Sequence, residues 1–374
     1  MADSNAHCSP PRTRRTRFVC ISDTHNCTVK LPKGDVFIHC GDLTNTGSFN
    51  ELSKQVQWLE QADFECKIVV AGNHDLTLDS NFYEEHGAYR HGNIPQVPQD
   101  CQALLTESKS LTYLLHESRT IKLTSPSGPQ TTFSVFGSPY SPAWGGAWAF
   151  QYPRHDEGIL NAESLWEEIP LDTDILITHG PAHSHCDEAR GGEAAGCEIL
   201  QQQLWRVRPR VALCGHIHEA RGVERVQWNI ETTNKRYAVR TRTPWQDPNP
   251  DSGKNALVDL TMKGGMPLDN DGSPGPLSES SRKDWQDRHT GDTDVPADVE
   301  VACSGIGALS LGEDPRDRAA QEGRLGRRET CIVNCAIQHT SYPHSGRGPR
   351  KLNKAIVVDL DLPLWGNEEP QARP

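Results

Sequence analysis

Five short runs of apolar, often β-branched residues each stop abruptly at a polar cluster, and this repeated punctuation limits the possible folds most sharply. Residues 17–21 lead into Ser22-Asp23-Thr24-His25, residues 35–40 into Gly41-Asp42, and residues 67–71 into Gly72-Asn73-His74-Asp75. Residues 174–178 lead into His179-Gly180-Pro181, and residues 210–214 into Gly215-His216-Ile217-His218. Near-continuous apolar runs of this length read as strands buried on both faces. Helical patterns lie between some of them. Ser48 and Glu51 have the spacing of a capping box that opens a helix through about Asp63. Ile199, Leu200, Leu204 and Val207 fall on one helical face within 197–207. Strands alternating with helices imply an α/β layered domain. Residues 132–136, 331–336 and 355–360 are further strand candidates.

Composition divides the chain. Its 374 residues are 35% hydrophobic with a mean hydropathy of −0.64, below the roughly 45–50% apolar content of ordinary domains. The deficit concentrates in 227–329, where Asp247-Pro248-Asn249-Pro250-Asp251 and Asp271-Gly272-Ser273-Pro274-Gly275-Pro276 are typical. That stretch reads as a low-complexity, largely disordered insertion, with short strands near Tyr237 and over 256–260 as exceptions. The expected organisation is a basic disordered arm (1–16), the main part of one domain (17–226), the insertion, closing strands of the same domain (330–362) and a tail (363–374). The arm lacks the apolar stretch of a secretory signal. Nowhere do 18 apolar residues run together to span a membrane. A net charge of −12 offers no basic footprint for long nucleic acid or an anionic membrane, but leaves a single nucleotide open as substrate. The 12 cysteines form no CxxC pair and read as free buried thiols in a reducing cytosol. The Arg-rich run before residue 18 leaves a nuclear address as the alternative.

Each polar cluster is a weak signal alone, since a single Gly-Asp is a turn and a single strand-end histidine is often a satisfied core residue. Their conjunction is a strong one. Ligands of open α/β sheets gather outside the carboxyl ends of strands. Five such ends would bring Asp23, His25, Asp42, Asn73, His179, His216 and His218 around one cleft. His216 and His218 alternate, so they point to the same side of a strand. Mixed imidazole and carboxylate donors suit Mn, Fe or Zn better than Ca or Mg.

The set Asp23-x-His25, Gly41-Asp42, Gly72-Asn73-His74-Asp75, His179 and Gly215-His216-x-His218 resembles the calcineurin-like metallophosphoesterase superfamily over about residues 18–219. The resemblance implies a four-layer α/β/β/α sandwich of two mixed sheets with two metal ions at its apex. It implies that Asp23, His25 and His218 bind one ion, that Asn73, His179 and His216 bind the other, and that Asp42 bridges them. His74 would be the catalytic acid beside the leaving group, and a water shared by the two ions the nucleophile. A narrower likeness rests on Ile177-Thr178-His179-Gly180-Pro181, Arg206-Val207-Arg208-Pro209, His216-Ile217-His218-Glu219, Val333-Asn334-Cys335-Ala336 and residues 356–360. These resemble the metallophosphoesterase-domain-containing branch related to class III cyclic nucleotide phosphodiesterases.

One motif departs from the protein phosphatases. Their second motif, Gly-Asp-x-x-Asp-Arg-Gly, reads here Gly41-Asp42-Leu43-Thr44-Asn45-Thr46-Gly47. Thr46 thus replaces an arginine that would grip phosphate bidentately, and Asn45 replaces a carboxylate that would orient the catalytic histidine. The leading expectation is a phosphodiesterase for a small phosphoester such as a cyclic nucleotide. The alternatives are a phosphomonoesterase or protein phosphatase, and a weakly active metal- and nucleotide-binding scaffold. Around the site, His39 reads as a supporting or strand histidine, and His183 and His185 as solvated loop residues. Glu219 reads as a partner for His218, and residues 137–148 as either a cleft wall that stacks a base or a turn folded onto the core.

Overall fold

A computed structural model describes residues 12–154, 157–230, 236–248, 256–270, 317, 326–340 and 352–365. In chain order the elements are β1 (Thr13–Ile21), β2 (Val36–Cys40), α1 (Phe49–Glu60), β3 (Cys66–Val70), α2 (Ser80–His91), α3 (Pro98–Thr106), β4 (Thr112–Tyr113) and β5 (Glu117–Lys122). They continue with β6 (Thr132–Ser138), β7 (Ser141–Pro142), β8 (Gln151–Tyr152), α4 (Glu157–Trp166), β9 (Ile175–Thr178), α5 (Glu198–Val207) and β10 (Val211–Cys214). Strands β11 (Gly222–Trp228), β12 (Val239–Trp245), β13 (Ala256–Leu260), β14 (Glu329–Asn334) and β15 (Ile356–Pro363) complete the set.

Two large mixed sheets result, ordered β13-β15-β1-β2-β3-β4 and β12-β11-β14-β10-β9-β6-β5. Alternation along each strand explains how they stack. Phe18 and Cys20 of β1, with Val36 and Ile38 of β2, pack against Phe133, Val135, Ile175 and Leu213 of the other sheet. The intervening residues Val19, Ile21 and Phe37 turn outward onto Leu52 and Leu59 of α1 and Leu105 of α3. In the second sheet Leu176 and Ala212 face Trp166 of α4 and Leu200 and Leu204 of α5. The layers are therefore helix, sheet, sheet, helix, the four-layer sandwich that the motifs imply. Helix α1 opens on the expected box, with the Ser48 side chain accepting from the Glu51 amide and Glu51 accepting from the Ser48 amide.

Strands β1, β2, β3 and β4 run parallel, as do β6, β9, β10 and β14. The carboxyl ends of β1 and β14 meet where Ser22 pairs with Ala336 and its amide donates to the Cys335 carbonyl at 3.0 Å. This junction brings the polar ends of both sheets to one edge.

Two boundaries differ from the sequence expectation. Residues 13–16, placed in a disordered arm, belong to β1 and pair antiparallel with β15 from Thr13↔Pro363 to Thr16↔Leu360. Their side chains are mostly exposed, so no apolar periodicity marks them, and the pairing is made by backbone. Arg17 adds a fork onto Asp359, with Nε and Nη2 each 2.7 Å from a carboxylate oxygen. Within 227–329, Gln227 and Trp228 finish β11, whereas the short strands expected near Tyr237 and over 256–260 are present as β12 and β13, which form an edge of each sheet. Strand β12 is largely solvated, which is why its composition resembles loop. Residues 1–11, 271–316, 318–325 and 366–374, which hold much of the expected arm, insertion and tail, lie outside the described residues. Among the described residues no helix is long and apolar enough to cross a membrane.

Candidate metal centre

Every sequence-derived ligand candidate sits just past the end of a parallel strand, and the chain turns sharply to present it. Asp23, His25, Asp42 and His216 have φ values of 57°, 44°, 55° and 67°. Left-handed backbone at a non-glycine residue costs about 1–3 kcal/mol and persists only where the surroundings over-determine it. Here they do. The Asp23 amide donates to Gly41 O at 2.9 Å and the His25 amide to Asp42 O at 3.1 Å, which locks the first turn onto the second. Gly41 has φ 98°, and a Cβ there would run into His179 Nδ1. A Cβ on Gly72 would stand 2.7 Å from His179 Cε1. Both glycines allow the backbone to press against the histidine.

Two groups of donors result. Asp23, His25 and His218 form one and Asp42, His179 and His216 the other, with the donor atoms of each group within 4.8 Å of one another. His218 Nε2 lies 3.2 Å from Asp23 Oδ1. Asp42 Oδ2 stands 3.6 Å from His25 Nε2 and 3.5 Å from His179 Nε2, so this one oxygen faces both groups. The Asn73 amide oxygen is 2.9 Å from His179 Nε2 and joins the second group. Three imidazoles are anchored from behind. The Nδ1 atoms of His25, His179 and His218 face the carbonyls of Thr44 (3.1 Å), Cys40 (2.9 Å) and Thr340 (2.8 Å). A carbonyl can only accept, so each Nδ1 carries the proton and Nε2 is turned toward the cluster.

Electrostatics follow from burial opposed by pairing. Burial disfavours charge on Asp23, but the His218 ring beside it outweighs that and holds the carboxyl at about 2. Burial acts the same way on Asp42, and His179 and His74 hold it well below the carboxylate range. Burial opposes charge on the His179 ring, yet Asp42 pushes it up to about 9. Burial dominates at His25 and His216 and drives both down to about 3. A cation that binds here competes with the proton that Asp42 favours on His179. The donor chemistry fits two ions. Each group offers imidazole nitrogen and carboxylate oxygen, with the tautomers of His25, His179 and His218 already set, the combination suited to first-row transition metals or zinc.

His74 adjoins both groups without belonging to either. Its amide donates to Asp42 Oδ1 at 2.8 Å and its Nδ1 lies 2.9 Å from the Asn45 carbonyl. The orienting contact expected from a side chain at position 45 is thus supplied by that residue's backbone. His39 bonds Thr24 Oγ1 at 3.0 Å within the first turn, in a supporting place. One expectation is corrected. His185 is buried, not solvated, with Nδ1 2.7 Å from Glu224 Oε1, because β11 carries Glu224 beneath its loop. At His218 Nδ1 the acceptor is the Thr340 carbonyl, carried there by the turn after β14. Sequence reading also missed Asp75. It accepts from the amides of Leu43 (3.2 Å), Thr44 (2.9 Å) and Gly72 (2.9 Å) and from Thr44 Oγ1 (2.7 Å), fastening the second turn to the third. Its place beside Asn73 and His74 was the available signal.

Comparison with known proteins places this geometry among relatives. The family model described as calcineurin-like phosphoesterase matches residues 16–220. Metallophosphoesterase domain-containing protein 1 of Homo sapiens is 37% identical over 234 residues, 60% of this chain and 67% of that protein. A UPF0046 protein of Caenorhabditis elegans is 35% identical over 219 residues, 58% of this chain and 68% of that protein. A protein of Emericella nidulans named probable rhamnogalacturonate lyase C is 43% identical over 216 residues, 57% of this chain. The match spans only 18% of that relative's length.

Proposed function

Because this chain belongs to the calcineurin-like phosphoesterase family, we propose that it is a metal-dependent hydrolase of small phosphodiesters, a cyclic nucleotide among the candidate substrates. The observation that carries the reading is the shared oxygen of Asp42, which faces His25 at 3.6 Å and His179 at 3.5 Å. On this reading Asp23, His25 and His218 hold one ion, Asn73, His179 and His216 the other, and Asp42 lies between them. Bound there, two such ions supply positive charge to phosphate oxygens and acidify water at neutral pH.

The chain's own groups do the rest. The carbonyls of Thr44, Cys40 and Thr340 fix three imidazoles, so the donors do not reorganise during turnover. Asn73 contributes a neutral oxygen, which limits negative charge beside an anionic substrate. His74, with its Nδ1 proton given to Asn45 O, is suited to hold a second proton at Nε2 and pass it to the departing alkoxide.

The preference for diesters rests on charge. Thr46 stands where protein phosphatases carry arginine, and its hydroxyl donates to Glu51 Oε2 at 2.7 Å, serving the cap of α1. A diester phosphate carries one negative charge, for which two cations suffice, whereas a monoester dianion gains more from an added guanidinium fork. The test compares kcat/KM for bis-nitrophenyl phosphate, a cyclic nucleotide and nitrophenyl phosphate with the same metal and pH. The diesters should be preferred. A strong preference for the monoester or for phosphopeptides would reject the diesterase reading while leaving the metal centre standing.

A further inference from the structure

The His74 ring is gripped on more sides than a hydrogen bond alone requires. Trp148 lies against it with ring centroids 4.2 Å apart and planes 37° apart. His25 meets it edge-on, at 4.8 Å and 88°. Trp148 comes from the loop between β7 and β8, and that loop is tied to both ends of α2. The Phe150 amide donates to Asp79 Oδ2 at 2.9 Å, one residue before the helix. Near the other end, Arg90 donates to the Ala147 carbonyl and lays its Cζ 3.9 Å from the Trp148 ring centroid. A guanidinium over an indole face is attracted by the ring quadrupole, so Arg90 fastens both the backbone and the side chain of this loop.

We propose that Trp148, held by Arg90, is a positioning residue that sets the His74 ring for proton transfer. The proposal rests on His74 being the acid. The physical reason is the softness of the histidine ring torsion, whose well is broad. One hydrogen bond at Nδ1 lets the ring swing and carries Nε2 with it. A flat indole against the ring face removes that freedom. Displacement of a proton donor by 1 Å can cost about 10²-fold in rate. The loop therefore does more than wall the cleft, and Trp148 is engaged by His74 and Arg90 in the role once open to a substrate base.

The test is a double-mutant cycle on metal-loaded full-length protein, read with diesters of good and poor leaving groups. Trp148→Ala should lower kcat by about 10- to 10²-fold for the poor leaving group, less for nitrophenol, with KM and bound metal little changed. Trp148→Phe should recover most of the loss, since it restores a flat face. In a His74→Ala background, Trp148→Ala should cost nothing further. Multiplicative losses, or a loss expressed in KM alone, would make Trp148 a substrate contact and overturn the proposal. An Arg90→Gln variant with wild-type rates would remove Arg90 from it. Where the alanine variant does not fold, Trp148→Leu keeps apolar volume without the flat face. If His74→Ala costs the same for every leaving group, the acid reading fails, yet the cycle still reports whether Trp148 holds that ring.

Discussion

The Nδ1 of His74 meets the backbone carbonyl of Asn45 at 2.9 Å, across 29 residues. A peptide oxygen thereby does what a carboxylate side chain would do at position 45, fixing the tautomer without adding negative charge. Asn45→Ala keeps that carbonyl. Its kcat should stay close to wild type, far short of the roughly 10²-fold minimum that loss of a general acid costs. A drop of that size in steady-state assays would show that the amide side chain is needed after all.

Removing the ring itself should separate proton transfer from metal binding. His74→Ala is expected to retain its metals and lose about 10²–10⁴-fold in kcat. The loss should shrink as the leaving group improves, because nitrophenolate departs without a proton. Rates on a series of aryl and alkyl esters, with metal content measured on the same samples, check this.

Asp42 is the group common to both clusters, so Asp42→Ala should abolish turnover and lower bound metal. Elemental analysis should find close to two ions in the active wild type and fewer in the variant. Circular dichroism should remain near native, since Asp42 lies past the end of β2 and contributes no side chain to the three apolar clusters. A fully active, metal-free wild-type preparation would contradict the whole assignment.

Acid should weaken the fold through Asp174 as well as at the metal centre. Burial opposes its charge, but Arg327, with Nη2 2.5 Å from Oδ1, and Arg210, with Nε at 3.2 Å, hold its pKa below the usual 3.8. A carboxylate with a depressed folded pKa contributes stability that is present above its unfolded value and lost as pH falls through the folded one. Asp174→Asn should therefore lower Tm at neutral pH and show a flatter decline of Tm below about pH 4. Equal Tm–pH curves for variant and wild type would assign no such role to this cluster.

Local signals determined much of this protein before any coordinates. Apolar runs ending in Asp23, Asp42, Asn73, His179 and His216 specify strand ends, because burial on two faces is written in consecutive residues. The α1 capping box is written in a spacing of three. The identity of the seven candidate ligands was legible for the same reason, since side-chain chemistry is a property of the residue. What surrounds them was not. Thr340 touches His218 through a carbonyl that every residue possesses, and Asn45 holds His74 the same way, so residue type leaves no trace of either. Residues 13–16 looked like a loose basic arm because their pairing with β15 is made by backbone, with the side chains of residues 13–15 exposed. His185 looked solvated until Glu224 arrived from β11. Trp148 meets His74, and Arg90 meets Trp148, only because α2 and the β7–β8 loop pack at the same edge. Those contacts depend on sheet register and on chain segments tens to hundreds of residues apart, which tertiary packing alone brings together.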